Sequence, residues 1–223
     1  MNISTARRKC CALGLVGVIL ILSGCINSTN IDEISSNYHY IPAATRTAAL
    51  SKITGWNIKG SFSVQEHGKT HMASYSWTQS SPRDYNIIVS SALNLYNYTL
   101  KGHVNSAVLW KDSTHAVTGK SPERVMQKVM GYSLPLSNLY YWVRSIAAPG
   151  RVVKIAHDKY GHLTYLQQQG WEIRWGGFST RDGIDFPTLI VLARPGTNIR
   201  ITIRYWVPMV NQHFDESAGV KKV

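Results

Sequence analysis

Regular alternation between apolar and polar residues is the feature that most restricts how this chain can fold. Within residues 55–206, apolar side chains recur at every second position, with polar side chains between them. A period of two is the period of a β-strand, and one polar face indicates an antiparallel sheet with one side in water. Strands are predicted within residues 56–64, 73–77, 85–89, 95–100, 104–110, 163–167, 171–175, 188–193 and 199–205. Because about 150 residues is the size of one domain, we expect a single, mainly β domain.

Two short helices are predicted midway along this series of strands. Ser121, Pro122 and Gly131 suit the N-cap, the first position and the C-terminal end of the first helix. Ser137 is predicted to cap the second, strongly amphipathic helix. The apolar faces contain Val125, Met126, Val129 and Met130 in the first helix and Leu139, Trp142, Val143 and Ile146 in the second. A curved sheet with two helices against its apolar side predicts an incomplete, open antiparallel β-barrel whose concave side is plugged by helices.

The first 25 residues indicate export and lipidation. A basic segment precedes the apolar residues 10–22, and Leu22-Ser23-Gly24-Cys25 follows. Thirteen apolar residues in a helix rise only about 20 Å, whereas a bilayer core needs roughly 20 residues, so residues 1–24 are predicted to be a cleaved signal peptide. The Leu-Ser-Gly-Cys order matches the bacterial lipobox and predicts acylation of Cys25. An ordinary secretory signal with an incidental cysteine is the alternative.

Acylation of Cys25 predicts a membrane-anchored protein whose soluble body faces the periplasm. Residues 25–50 are predicted to be the lipidated cysteine, a tether and a weakly helical segment, residues 51–206 the barrel, and residues 207–223 a polar tail. Ile26 favours the outer membrane, because an aspartate at this position commonly retains enterobacterial lipoproteins in the inner membrane.

Loss of residues 1–24 lowers the formal charge from +12 to +9 and leaves Cys25 as the one cysteine of the mature chain. Disulfides and thiolate metal sites are therefore not expected. In the periplasm a net positive charge favours contact with anionic lipid surfaces or acidic proteins and not with nucleic acid. We expect a monomer.

Patterns for catalysis or metal binding are weak. The eight histidines do not pair at helical spacing, and no metalloprotease, hydrolase or phosphate-loop motif is present. Asp182 and Asp185 are candidate ligands of a metal loop, but Asp182-Gly183 and Phe186-Pro187 are more typical of a turn. We therefore expect no enzymatic activity, no cofactor and no metal.

Aromatic residues are abundant, with seven tryptophans and twelve tyrosines. They either pack solidly in the core or line an apolar cavity that can hold acyl chains, and composition does not separate these alternatives. The candidate cavity-lining residues are Trp56, Ile58, Phe62, Tyr75, Trp77, Met126, Met130, Leu139 and Trp142.

These segments resemble the LolB family of outer-membrane lipoprotein receptors over residues 56–206. The resemblance rests on Leu22-Ser23-Gly24-Cys25, Trp56 with Lys59-Gly60-Ser61-Phe62, Tyr75-Ser76-Trp77, Tyr85-Asn86-Ile87-Ile88-Val89, Leu134-Pro135-Leu136 with Leu139 and Trp142, Gln168-Gln169-Gly170-Trp171, and Ile201-Thr202-Ile203 before Trp206. It implies an open barrel around a hydrophobic cavity. It also implies a receptor that takes acylated lipoproteins from the periplasmic chaperone LolA and inserts them into the phospholipid of the outer membrane.

The loop of residues 90–94 contains an apolar residue, Leu93. In an exposed turn this side chain would bury no apolar surface and so would not stabilise the fold. The family has an exposed apolar residue in an Asn-Pro-Leu-Gly-like loop, so the resemblance implies that Leu93 inserts into the membrane. Ala92 and Asn94 replace the proline and glycine of that loop.

Two other functions fit the chain without the resemblance. A structural or assembly scaffold at the outer membrane would explain the anchor, the charge and the sheet without a cavity. An enzyme of envelope metabolism is the weakest alternative, because no catalytic cluster can be named.

Overall fold

The computed structural model describes residues 38–91, 95–103 and 105–209. Cys25 and Leu93 lie outside the described residues. These described ranges contain three helices, α1 (Ala43–Ser51), α2 (Pro122–Met130) and α3 (Leu136–Trp142). The strands are β1 (Gly55–Glu66), β2 (Lys69–Ser81), β3 (Asp84–Ser91), β4 (Asn97–His103), β5 (Ser106–Trp110), β6 (Ala116–Gly119), β7 (Val152–His157), β8 (Leu163–Gln168), β9 (Trp171–Arg181), β10 (Ile184–Arg194) and β11 (Thr197–Met209).

All of these strands form one antiparallel sheet in the order β6-β5-β4-β3-β2-β1-β11-β10-β9-β8-β7. The first and last strands of the domain, β1 and β11, pair in the middle of the sheet, and β6 and β7 are its edges. Within the described residues β6 and β7 do not pair, so the barrel is not closed. The predicted fold class, an incomplete antiparallel barrel with helices on the concave side, is confirmed.

A bulge between Lys59 and Gly60 bends the sheet where β1 pairs with β11. A side chain at Gly60 would place its Cβ 1.8 Å from the carbonyl oxygen of Thr202, so only glycine allows the two strands to approach this closely. The bend lets the apolar face of the sheet curve around the helices.

The sequence prediction missed both edge strands, and it began two other strands too early. β7 has exposed residues on both faces and therefore no alternation, and β6 has only four residues. The strand predicted from residue 95 begins at Asn97, and the strand predicted from residue 104 begins at Ser106. At the C-terminal end β11 continues to Met209, beyond the predicted boundary at residue 206.

The first predicted helix, α2, has the predicted ends. Ser121 Oγ accepts a hydrogen bond from the Arg124 amide at 3.3 Å, Pro122 occupies the first position, and Gly131 ends the helix with φ of 79°. These signals are local in sequence, so the pattern was sufficient to predict them.

The predicted cap of the second helix is wrong. α3 begins at Leu136, one residue before Ser137, and Pro135 occupies the N-cap position. The Ser137 amide and hydroxyl both donate to Glu123 Oε1, at 2.9 and 2.8 Å. The carboxylate of α2 therefore satisfies the first turn of α3, and it fixes the two helices to each other.

A buried ion pair holds α1 against the sheet. Arg46 Nη1 lies 2.7 Å from Asp185 Oδ2, and the same carboxylate oxygen lies 2.9 Å from His162 Nε2. Arg46 also donates to the carbonyls of Tyr160 and His39. Asp185 therefore belongs to a structural network that holds the N-terminal helix, while the predicted turn itself is formed by Asp182 and Gly183.

Candidate functional site

An apolar cavity lies between the concave face of the sheet and the segment containing α2 and α3. Strands β1 to β5 and β11 supply one wall, and α2, α3 and the residues joining them supply the other. Its lining residues are Phe62, Tyr75, Trp77, Ile87, Val89, Tyr98, Leu100, Leu109, Met126, Met130, Leu134, Leu136, Leu139, Val143 and Ile201. The alternating apolar positions of six strands therefore converge on one space.

Two aromatic residues of this wall use their polar atoms in hydrogen bonds outside the cavity. The Tyr75 hydroxyl donates to the carbonyl of Thr202 at 3.2 Å, and Trp77 Nε1 donates to Gln79 Oε1 at 2.7 Å. Burial raises the pKa of Tyr75, although the positive charge of Arg204 opposes this shift. Tyr75 stays neutral across the physiological range, and the cavity wall carries no ionised group among its lining residues.

The cavity is nearly closed in this conformation. Its open volume is about 30 Å³, which has room for only a few small molecules such as water. A long acyl chain is larger than this space, so its entry requires the lining side chains or the elements that carry them to move. Met126 and Met130 belong to the helical side of the cavity, and their flexible side chains can adapt to different shapes.

Six of the nine candidate cavity residues line this space, namely Phe62, Tyr75, Trp77, Met126, Met130 and Leu139. The structure places the other three, Trp56, Ile58 and Trp142, in the solidly packed part of the core, where each is fully buried. Trp142 Nε1 donates to Gln168, and its carbonyl accepts from Trp175 Nε1. These contacts fix α3 to β8 and β9 and leave no space beside the indole.

Sequence reasoning did not single out the other residues of the cavity wall. Ile87, Val89 and Leu100 show the same alternation as the residues that were named. Strand periodicity identifies which face is buried, but it does not show whether that face meets a space or another side chain. Ile87, Val89 and Leu100 could have been identified because they occupy the positions of β3 and β4 that face the helices.

An open vestibule of about 580 Å³ adjoins the cavity at the end where β2 turns into β3. Trp77, Ile87 and Leu136 line both spaces, so they form the boundary between them. The vestibule is more polar than the cavity, since its lining also contains Gln79, Arg83, Asn105, Ser106, Lys120, Ser137, Tyr85, Tyr140 and Tyr141. It provides a route from water to the apolar interior.

The β3–β4 hairpin carries an exposed apolar side chain shortly before β4. Leu95 is 80% exposed, and it precedes Tyr96 and Tyr98, whose rings lie 5.0 Å apart. The base of the loop is closed because the Ser91 amide donates to the Tyr96 carbonyl and the Tyr96 amide to Ser91 Oγ. The sequence prediction placed Leu95 inside a strand and therefore missed it as an exposed residue.

Histidine and carboxylate side chains form structural pairs in the described part of the chain. His162 is buried between Asp158 and Asp185 and stacks on Phe178. Within residues 38–91, 95–103 and 105–209, no three histidine, cysteine, aspartate or glutamate side chains converge as metal ligands would. None of the helices in these same ranges is long and apolar enough to cross a membrane.

Comparison with known proteins identifies relatives over the whole domain. The sequence profile of a family described as outer membrane lipoprotein LolB matches residues 54–206. An outer-membrane lipoprotein LolB of Coxiella burnetii is 38% identical over 199 residues, which cover 89% of this chain and 93% of the relative. One from Nitrosococcus oceani is 28% identical, over 89% of this chain and 98% of the relative.

Solved structures resemble the chain more distantly. A LolA superfamily protein from Nitrosomonas europaea has a TM-score of 0.45 at 7% identity, over 76% of this chain and 94% of that protein. A DUF1329 family protein from Desulfovibrio piger has a TM-score of 0.47 at 13% identity, over 79% of this chain and 95% of that protein. The family profile and the sequence relatives agree, and the chain belongs to the LolB family of outer-membrane lipoproteins.

Proposed function

We propose that this protein is a non-enzymatic receptor that accepts acylated lipoproteins from the periplasmic chaperone LolA and inserts them into the outer membrane. The observation that carries the proposal is the apolar cavity between the concave sheet and the helices. Membership of the LolB family supports the same function.

Acyl chains of the client would occupy the cavity after the helices move outward. Burial of each methylene group is worth about 0.8 kcal/mol, so a chain of ordinary length offsets a substantial cost of opening. Transfer then needs no nucleotide, because the chains move from the chaperone to this cavity and on to the bilayer, provided that each site binds them more tightly than the one before.

The N-terminal lipid supplies the anchor in this proposal. Acyl groups on Cys25 hold the protein at the outer membrane with its domain in the periplasm, since two or more chains give stable membrane attachment. Leu93 makes a reversible contact with the bilayer. A leucine that enters the membrane gains about 1.5 to 3 kcal/mol, which is enough to align the cavity but too little to hold a protein. The exposed Leu95 on the same hairpin supports a membrane contact there.

Transfer of a labelled lipoprotein from its LolA complex tests the proposal directly. The acceptor is the full lipidated protein in liposomes, compared with a Val89→Phe variant that fills the cavity and an Ile190→Phe variant that overpacks the core elsewhere. Val89 lines the cavity, whereas Ile190 is fully buried outside its lining. Each substitution should lower the unfolding free energy by a similar amount, roughly 1 to 3 kcal/mol.

We expect Val89→Phe to lower the rate of lipoprotein transfer at least about tenfold, which corresponds to about 1.4 kcal/mol in the free-energy barrier. Ile190→Phe should keep the rate of wild type. Equal rates in the two variants would contradict the assignment of the cavity as the acyl-chain site.

A structural or assembly scaffold is the second candidate. The edge strand β7 favours it, because Val153 and Ile155 are 61% and 48% exposed on a strand with one unpaired edge. Titration with a fluorescent fatty-acid analogue separates the two functions. Saturable binding at micromolar protein supports the receptor, and the absence of binding supports the scaffold.

A further inference from the structure

The vestibule next to the cavity is lined by cationic side chains and by no carboxylate. Arg83 and Lys120 are exposed at its rim, on the β2–β3 turn and just before α2. Neither side chain forms an ion pair or a hydrogen bond with another described residue. Two unpaired cations that border one concave space favour an anionic ligand in it.

A third cation lies behind the vestibule wall. Arg144 is 2% exposed, and it donates to the carbonyls of Tyr140, Ile53 and Leu50. It forms no ion pair with any described residue, although its guanidinium lies 4.3 Å from the ring centre of Tyr140, a vestibule residue. The guanidinium keeps its charge at neutral pH. A buried cation is screened less by salt than a surface one, so Arg144 contributes positive potential to the vestibule.

Carboxylates near the vestibule already have other partners. Glu123 accepts from Ser137 and Ser121, and Asp84 accepts from Ser81 and pairs with His103. Neither carboxylate pairs with Arg83 or Lys120 within the described residues. The charge of Glu123 still acts on the vestibule residue Tyr85, whose pKa is raised first by burial and then by this carboxylate.

We propose that the vestibule is the head-group site of the acyl-chain cavity: it binds an amphiphile whose chain lies in the cavity and whose anionic head lies between Arg83 and Lys120. This inference rests on the proposed function, since it needs the cavity to accept the chain. Trp77, Ile87 and Leu136 line both spaces, so a ligand that spans them passes these residues. The vestibule then selects acyl compounds by the charge of the head, which the apolar cavity itself cannot do.

An anionic head has two sources at this membrane, the phosphate of a phospholipid and an acidic residue beside the acylated end of a polypeptide. Dodecyl phosphate and N-lauroyl aspartate represent the two sources, and 1-lauroyl glycerol is the uncharged reference. Inorganic phosphate alone represents a simple anion.

Calorimetric titration of these four probes tests the proposal. The protein is the full mature chain with Cys25→Ser, so that its own acyl groups do not compete for the cavity. A double variant, Arg83→Gln with Lys120→Gln, is compared with Arg181→Gln and Lys128→Gln, which remove the same charge from exposed positions outside the vestibule.

We expect wild type to bind at least one anionic amphiphile about fivefold more tightly than 1-lauroyl glycerol, a factor typical of a charge-assisted contact. The vestibule variant should lose this preference and the control variant should keep it. A loss for dodecyl phosphate identifies a phospholipid head, and a loss for N-lauroyl aspartate identifies an acidic residue.

Equal affinity of wild type and the vestibule variant for both anionic amphiphiles would overturn the head-group site. Binding of inorganic phosphate as tight as that of dodecyl phosphate would overturn it as well, because the chain would then contribute nothing. In either case saturable binding of 1-lauroyl glycerol leaves the acyl-chain cavity in place. Failure of all three amphiphiles to bind wild type contradicts the cavity itself.

Discussion

The most informative single residues of this molecule are apolar side chains that are exposed to water. Leu95 is 80% exposed in the β3–β4 hairpin and lies two residues after Leu93 in the sequence. The sequence prediction included Leu95 in a strand of residues 95–100. Only the position at which β4 begins, Asn97, shows that Leu95 has no sheet to pack against.

Charge at this hairpin should impair delivery without impairing folding. Replacement of Leu93 or Leu95 by glutamate removes an apolar contact with the bilayer and adds a charge that the bilayer interior excludes. We expect the unfolding free energy to change by less than about 0.5 kcal/mol, as for other surface substitutions. Uptake from the LolA complex should be retained, and insertion of the lipoprotein into liposomes should fall about tenfold, the effect of 1.4 kcal/mol.

Tyr205→Glu is a matched control for the hairpin, since Tyr205 is 47% exposed on β11. Its insertion rate should equal that of wild type. Normal insertion by both leucine variants would remove the hairpin from the membrane-contact model, whereas a defect in the Tyr205 variant would indicate a general effect of negative charge.

Contacts between elements explain which parts of the fold the sequence predicts. The ends of α2 depend on Ser121, Pro122 and Gly131, which are local signals, and they are predicted correctly. The start of α3 depends on Glu123, 14 residues away from Ser137, so no pattern near Ser137 contains it. Edge strand β7 lacks a buried face and therefore lacks the alternation by which the other strands were found.

The carboxylate of Glu123 couples α2 to α3 and makes this contact sensitive to pH. Burial by itself would raise the pKa of Glu123, but hydrogen bonds from Ser137 and Ser121 outweigh it and hold the pKa below its ordinary value. The folded state therefore binds fewer protons than the unfolded state in this range. The stabilisation is present above the ordinary pKa, and it is lost as pH falls through the pKa of the folded protein.

Glu123→Gln tests this coupling. The neutral amide still accepts a hydrogen bond but loses the charge assistance, so we expect a loss of about 1 kcal/mol in unfolding free energy at pH 7. Urea denaturation of wild type and variant between about pH 7 and pH 3 should show the two stabilities converging at the acidic end. A constant difference across this range would show that the charge of Glu123 does not stabilise the folded protein.

At the scale of the whole molecule, the cavity is nearly filled by the side chains that line it, and under the proposed function the same side chains admit the ligand. Its volume of about 30 Å³ means that Met126 and the opposing strand residues fill most of the space between helices and sheet. The sequence could predict an apolar concave face, but the size of the gap follows from the distance between α2 and the sheet. The neighbouring helix α3 is held on the sheet by contacts of Trp142 with β8 and β9, and Glu123 links α2 to α3. The partners in these contacts are far apart in sequence.

Enlarging the cavity should therefore strengthen ligand binding while it weakens the fold. Met126 is 2% exposed and lines the cavity, so Met126→Ala should cost about 2 to 5 kcal/mol in unfolding free energy. The space left behind reduces the helix movement that an acyl chain requires, and we expect 1-lauroyl glycerol to bind about threefold more tightly. Leu166→Ala is the control, because Leu166 is fully buried outside the cavity lining and should lose stability without a gain in affinity. Calorimetric titration and urea denaturation of both variants measure the two effects, and a weaker affinity in Met126→Ala would mean that the methionine contacts the chain more than it obstructs it.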